Sequence, residues 1–133
     1  MIENTNLLKA GKWAKASYAS CKGVKGKTLG LIGLGFVAKG VARVSQALGM
    51  RVVAYDPNPK PIEGVEMLKS IDEVISNSDI ISLHCPSTPK TKGMVNKEFL
   101  SKCKKDAYLI NTARGDLVKD DDLIAHLESN KQF

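Results

Sequence analysis

Apolar positions along this 133-residue chain alternate between continuous short runs and helically spaced sets. Leu29 to Leu34 is an apolar run of strand length, which predicts a strand buried on both faces. Phe36 to Leu48 places Val37, Val41, Val44 and Leu48 at helical spacing, and Gly49 supplies a C-terminal stop. Arg51 to Tyr55 reads as a second strand, and the prolines of Asp56 to Pro61 force a loop after it. Val65 to Leu68 is a short third strand; Ser70-Ile71-Asp72-Glu73 is a capping box opening a helix to Ser76 or Asn77. Ile80 to Cys85 is a fourth buried strand, followed by a loop from Pro86 to Gly93. Asn96 caps a helix through Lys104, Ala107 to Ala113 is a fifth strand, and Asp120 to Ser129 is a last helix with Leu123, Ile124 and Leu127 on one face. Upstream, Asn6 to Ala16 is a helix bearing Leu7, Leu8, Trp13 and Ala14, with Trp13 as a packing residue, and Ser17 to Lys27 is a loop. Strands alternating with helices at this spacing predict a parallel sheet covered on both faces, joined by right-handed crossovers. The organisation is a leading helix and loop over residues 1–27 and one domain over 28–133.

The junction between the first strand and its helix carries chemistry. Gly33, Gly35 and Ala38 stand in the spacing G-x-G-x-x-A, with Asp56 closing the next apolar run. Gly33 allows a tight turn off the strand, Gly35 lets a pyrophosphate approach the backbone, and Ala38 is small enough for helix to pack on strand. The helix start offers unpaired N–H groups to phosphates. Asp56, roughly 20 residues on, can accept hydrogen bonds from an adenosine ribose, and its charge repels a 2′-phosphate. The pattern therefore points to NAD in preference to NADP, with Lys60 the one nearby feature favouring the second.

Composition narrows the alternatives. A chain of this length forms one domain burying roughly two thirds of its unfolded surface. The longest apolar stretch, Leu29 to Ala38, is far short of the ~18 residues of a membrane span, and the polar, acidic start is unlike a secretory signal. Cys21, Cys85 and Cys103 are odd in number and widely spaced, so neither a disulfide framework nor a metal site is expected, as suits a reducing cytoplasm. The net charge of +6 resides mainly in residues 1–29, where six lysines face Glu3 alone. A basic stripe can bind nucleic acid, but no recognition motif accompanies it, so a solvated leading segment is the reading.

Two further segments are distinctive: Ser78-Asp79-Ile80-Ile81-Ser82-Leu83-His84-Cys85-Pro86 and Tyr108-Leu109-Ile110-Asn111-Thr112-Ala113-Arg114-Gly115. Both resemble the D-isomer-specific 2-hydroxyacid dehydrogenases, a family that includes D-3-phosphoglycerate, glycerate, D-lactate and formate dehydrogenases. The resemblance runs from about Leu7 to the end and implies a Rossmann-type, doubly wound parallel α/β sheet of about five strands that binds NAD. Hydride transfer between NAD(H) and a 2-hydroxy or 2-keto acid follows from it, with D-3-phosphoglycerate as leading substrate. By the same resemblance the backbone of Phe36 and Val37 meets the pyrophosphate, and Asp56 the ribose. Cys85, Pro86 and Thr91 border the cofactor, Thr112 and Ala113 lie under the nicotinamide, and Arg114, the catalytic candidate, grips the substrate carboxylate and keto oxygen. A guanidinium suits that task because it offers parallel donors and keeps its charge.

Departures from the family pattern accompany these matches. Phe36-Val37-Ala38 stands where many relatives have Arg-Ile-Gly, and Lys119 where an acidic helix cap is common, leaving Asp120 to take over. The family's catalytic histidine and its orienting glutamate correspond to positions after Phe133, so the chain alone is expected to be inactive. His84 is expected to be structural and His126 a surface residue. A homodimer through this domain and its leading helix is expected. The competing readings are a non-catalytic, corepressor-like NAD-binding module, and a methyltransferase-like nucleotide domain, against which Asn-Thr-Ala-Arg-Gly speaks.

Overall fold

Five short strands lie parallel in the order β3-β2-β1-β4-β5. The computed structural model describes residues 2–13, 23–130 and 133. Its elements are α1 (Ile2–Lys9), β1 (Thr28–Ile32), α2 (Phe36–Ala47), β2 (Arg51–Tyr55), β3 (Val65–Met67), α3 (Ile71–Asn77), β4 (Ile80–Leu83), α4 (Lys97–Lys102), β5 (Tyr108–Asn111), a 3₁₀ turn (Gly115–Leu117) and α5 (Asp120–Ser129). The predicted α/β class and the parallel sheet are found. Ala14, Ala16, Cys21 and most of the predicted Ser17–Lys27 loop lie outside the described residues. The leading helix ends at Lys9, earlier than its apolar spacing suggests, and β5 ends at Asn111 where Asn111 to Arg114 turns away.

The strands reach a common rim. Ile32 pairs in register with both Tyr55 and Leu83, and Leu83 with Asn111. The central strand reverses the strand order, so β1 and β4 part at their carboxyl ends, where open α/β sheets bind ligands.

Each face has its own core. On one, α2 packs Ala38 and Ala42 against Leu29, Leu31, Val52 and Ala54. On the other, α3, α4 and the 3₁₀ turn bury Val74, Ile75, Phe99, Leu100 and Leu117 against Ile32, Val53, Ile81 and Leu83. The face of α2 chosen from its valines is the wrong one. Ala38, Ala42 and Ser45 are buried, Val41 is half-buried, and Val37, Val44 and Leu48 face solvent. Small side chains let the helix axis approach a twisted sheet closely, so the tightest contact selects alanine over valine.

Helices flank both faces of the sheet, as expected; among the described residues the α2-face core extends as far as Ile80 of β4, and Tyr108 and Ile110 of β5 beyond it are 70% and 44% exposed. Two other expectations are corrected. Trp13 is 75% exposed rather than packed, because the helix stops before it. On α5 only Leu123 touches the core, while Ile124 and Leu127 are exposed.

The helix starts follow local chemistry. Ser70 Oγ accepts from Glu73 N at 3.1 Å, as the capping box requires, but the Glu73 carboxylate accepts from Lys69 N at 3.0 Å, one residue before the cap. Asn96 caps α4 through Phe99 N at 3.0 Å. Asp120 does not cap α5: it is the first helical residue, Lys119 occupies the cap position without a side-chain bond, and Asp122 instead accepts from Lys97 N of α4 at 2.9 Å. At the opposite end of the sheet Asp79 accepts from Thr28 N at 2.7 Å and from Lys104 Nζ at 3.0 Å. Burial opposes ionisation of Asp79, but those bonds and the charges of Lys104 and Lys27 outweigh it and hold the carboxyl below its ordinary range.

Candidate cofactor cleft and its neighbouring arginine loop

Because Ile32, Tyr55, Leu83 and Asn111 share one row, the residues after them emerge side by side: Gly33, Asp56, His84 and Thr112. Gly33 donates its N–H to Tyr55 O at 2.8 Å and turns at φ 92°. A Cβ there would lie 2.9 Å from the His84 carbonyl carbon and oxygen and 3.0 Å from Cys85 N. Glycine is thus demanded by the turn itself. Gly35 differs. It has φ −75°, and a Cβ there would meet nothing within 4 Å. No part of the described chain needs glycine at 35, and the space in front of it is open.

That space leads to the first turn of α2, which has no side-chain cap and no acid in its first turn. The N–H groups of such a turn, with the positive end of the helix dipole behind them, form a cradle for an anion. Beside it, Asp56 Oδ2 accepts from Leu34 N at 2.7 Å and Oδ1 from Asn58 N at 2.8 Å. These bonds orient the carboxylate against the glycine turn and leave lone pairs on both oxygens for hydroxyl donors. An anion cradle, an acid one turn away and an open approach at Gly35 together fit a dinucleotide's pyrophosphate and ribose.

A cleft of about 580 Å³ opens here, within the usual size of small-molecule sites. Of the residues singled out from sequence, Gly33, Gly35, Asp56, Cys85, Pro86 and Thr91 line it. Phe36 and Val37 sit on the first turn of α2, with the Phe36 side chain 95% exposed. Thr112, Ala113 and Arg114 are not in the cleft wall; they follow β5 along the same rim. Thr91 is occupied with shaping the loop: its hydroxyl donates to Pro86 O at 2.7 Å and accepts from Thr88 N at 2.8 Å.

Further wall residues were not anticipated. Ile71, Thr88, Lys90 and Met94 come from α3 and from the loop after β4. Their only sequence signal is proximity to the ends of strands; which of them turn inward depends on the packing of α3 and α4. His84 also lines the cleft, its Nε2 2.9 Å from Ser82 Oγ, and burial lowers its pKa, favouring the neutral ring. Cys85 sits 3.9 Å from the Met94 sulfur; burial first, and then the charge of Asp56, push its thiol up, so it forms a neutral wall. His126 lies away on α5, its ring 4.7 Å from that of Phe133 in an edge-on contact.

Arg114 is held by its neighbours. Asn111 Oδ1 accepts from Ala113 N at 3.1 Å while its Nδ2 donates to Arg114 O at 2.9 Å, so one side chain clamps the loop from both sides. The guanidinium donates to Ala113 O at 2.8 Å, is exposed, and pairs with no carboxylate among the described residues. Among the described residues no three His, Cys, Asp or Glu side chains gather as metal ligands, and no helix is long and apolar enough to cross a membrane.

A doubly wound parallel sheet with a glycine turn, an uncapped helix start and an oriented acid at its switch point is a Rossmann-type dinucleotide-binding domain. The sequence profile of the D-isomer specific 2-hydroxyacid dehydrogenase NAD-binding domain matches residues 1–133. This chain belongs to that family, and NAD is its cofactor. It is 42% identical over 108 residues to a hydroxypyruvate reductase of Blautia hydrogenotrophica, covering 80% of this chain and 34% of that protein. To the D-3-phosphoglycerate dehydrogenase of Methanocaldococcus jannaschii it is 38% identical over 133 residues, covering 96% of this chain and 25% of that protein. D-lactate dehydrogenase of Lactobacillus jensenii, solved with NAD+, superposes with a TM-score of 0.86 at 34% identity, covering 97% of this chain and 39% of that one. The chain therefore spans about a third and a quarter of the lengths of the two curated relatives.

Proposed function

We propose that this chain is the NAD-binding part of an enzyme that moves a hydride between NAD(H) and a small 2-hydroxy or 2-keto acid, with Arg114 receiving the acid's carboxylate. The observation that carries the reading is the shared rim: the glycine turn, Asp56 and the Asn111–Arg114 loop all leave the sheet at one level. When bound, the cofactor supplies or accepts the hydride. The chain's own residues bind and orient it: the first turn of α2 takes the pyrophosphate, Asp56 the ribose hydroxyls, and the loops after β4 and β5 flank the nicotinamide end. An exposed guanidinium with no acidic partner among the described residues suits a carboxylate substrate. D-3-phosphoglycerate is one candidate among several; the relatives' names include hydroxypyruvate, glycerate and lactate chemistry as well.

Turnover also needs a proton donor near the keto oxygen, a task worth ~10²–10⁴-fold. His84 is bonded to Ser82 and His126 is on α5, so the chain by itself is expected to bind NADH without oxidising it. The exposed apolar side chains of Leu8 in α1, Trp13 beyond it, Val37 and Val44 in α2 and Leu48 at its end favour a homodimer through the leading segment and α2. Calorimetric titration tests the central reading. NADH should bind more tightly than NADPH, and Asp56→Ala should weaken NADH and narrow the difference. Equal or tighter binding of NADPH by the unaltered chain would refute it, as would saturable NADH oxidation with a 2-keto acid that survives Arg114→Ala.

A further inference from the structure

The wall of the cleft and the arginine-bearing loop belong to different segments, yet they are laced together. At the far end of the β4 loop, Gly93 N donates to Asp116 O at 2.8 Å, Val95 N to Leu117 O at 3.0 Å, and Lys119 N to Val95 O at 2.9 Å. These bonds are backbone to backbone and leave the near end, Pro86 to Lys90, untied to the next segment. One side-chain bond does tie it: Ser87 Oγ donates to Asp116 Oδ2 at 2.7 Å. Asp116 thus accepts twice from the β4 loop, once through its carbonyl and once through its carboxylate.

Both sides of this link lead to the site. Ser87 directly follows Pro86 of the cleft wall. Asp116 stands two residues after Arg114, in the turn where Leu117 N donates to Arg114 O at 3.3 Å. With Asn111 clamping the other side, the Arg114 backbone is fixed between two anchors. Removing Ser87's hydroxyl has a second consequence. The carboxylate of Asp116 would lose the one side-chain donor that holds it among the described residues, two positions along the chain from Arg114.

We infer that Ser87 and Asp116 form a latch that sets the arginine loop against the cofactor cleft, making Asp116 a positioning residue for the nicotinamide end of the site. This rests on the proposed function, because it assumes that the residues after β5 flank that end. Asp116 is exposed, and exposed polar links add little stability. The latch should therefore act on position rather than on folding. The adenosine end is anchored separately by the bonds of Asp56 to Leu34 and Asn58.

The test is a double-mutant cycle on the full chain, with NADH and ADP-ribose as calorimetric ligands and urea unfolding as the control. Ser87→Ala and Asp116→Ala should each weaken NADH by about 3- to 10-fold, the range of one hydrogen bond. The double variant should lose no more than either single one, because the bond can be lost only once. Ser87→Thr, which keeps the hydroxyl, should restore NADH affinity. ADP-ribose affinity should stay within about 2-fold of the unaltered chain, and the loss of stability in urea should not exceed the free energy of the 3- to 10-fold change, about 0.7–1.4 kcal/mol. Additive losses, unchanged NADH affinity, or an equal fall in ADP-ribose affinity would overturn the latch while leaving the cofactor reading intact. An unaltered chain that binds neither ligand would overturn both.

Discussion

Gly33 and Gly35 are two residues apart in the same turn, yet the proposed cofactor site gives them different duties, and paired alanine substitutions should separate them. At Gly33 the backbone turns at φ 92°, where an L-residue costs about 1–2 kcal/mol. The new methyl would also stand 2.9 Å from the His84 carbonyl, a backbone group held in the ladder by His84 N to Ile32 O at 2.8 Å. Relieving that overlap means moving β1 against β4, and overpacking of this kind costs roughly 1–3 kcal/mol. Gly33→Ala should therefore lower stability by about 2–5 kcal/mol, a large share of a domain's usual 5–15 kcal/mol. Gly35 has φ −75° and open space around its missing Cβ. Reduced freedom of the unfolded chain favours alanine there by about 0.4–1 kcal/mol, roughly offsetting alanine's poorer helix capping. Gly35→Ala should keep its stability within about 1 kcal/mol, while its methyl blocks the approach to the first turn of α2. Losing one charge-assisted bond to a phosphate, about 1.5–3 kcal/mol, corresponds to roughly 10- to 100-fold weaker NADH binding. Urea unfolding and calorimetry on the two variants give both numbers. If Gly35→Ala unfolded as easily as Gly33→Ala, or bound NADH as well as the unaltered chain, the division of labour drawn from the geometry would be wrong.

Other expectations concern the frame around the site. Asp79→Ala strands the N–H of buried Thr28 and should cost about 1–3 kcal/mol in urea unfolding without changing NADH affinity, since Asp79 lies at the opposite end of the sheet. Burial lowers the His84 pKa below its ordinary 6.5, so the unfolded chain binds the extra proton first. Stability should therefore decline as pH falls from about 6.5 through the folded pKa, and His84→Gln should flatten that slope; an unchanged slope would count against a neutral buried ring. Cys103, pushed by burial up to about 11, should resist iodoacetamide at pH 8, and alkylation of half-exposed Cys85 should slow when NADH fills the cleft it lines. Mass spectrometry of the labelled peptides distinguishes the two thiols.

What the sequence by itself determined is local in origin. Continuous apolar runs mark buried parallel strands because both faces of each must leave water, and Thr28–Ile32 is buried at every position. Ser70 and Asn96 mark helix starts because a side-chain oxygen satisfies an N–H three residues on. The glycine turn and Asp56 were legible for the same reason: each is a short-range solution to a steric or hydrogen-bonding demand. Only the tertiary structure decided which face of α2 is inside, because closeness of approach to the sheet, rather than side-chain hydrophobicity, selected Ala38 and Ala42 over Val37 and Val44. It also decided that Tyr108 and Ile110 are exposed among the described residues, that Asp122 serves the helix before its own, and that Ser87 meets Asp116 across 29 residues. Those contacts join segments remote in the chain, and no local preference encodes them; they exist because five strands in register bring their carboxyl ends to one rim.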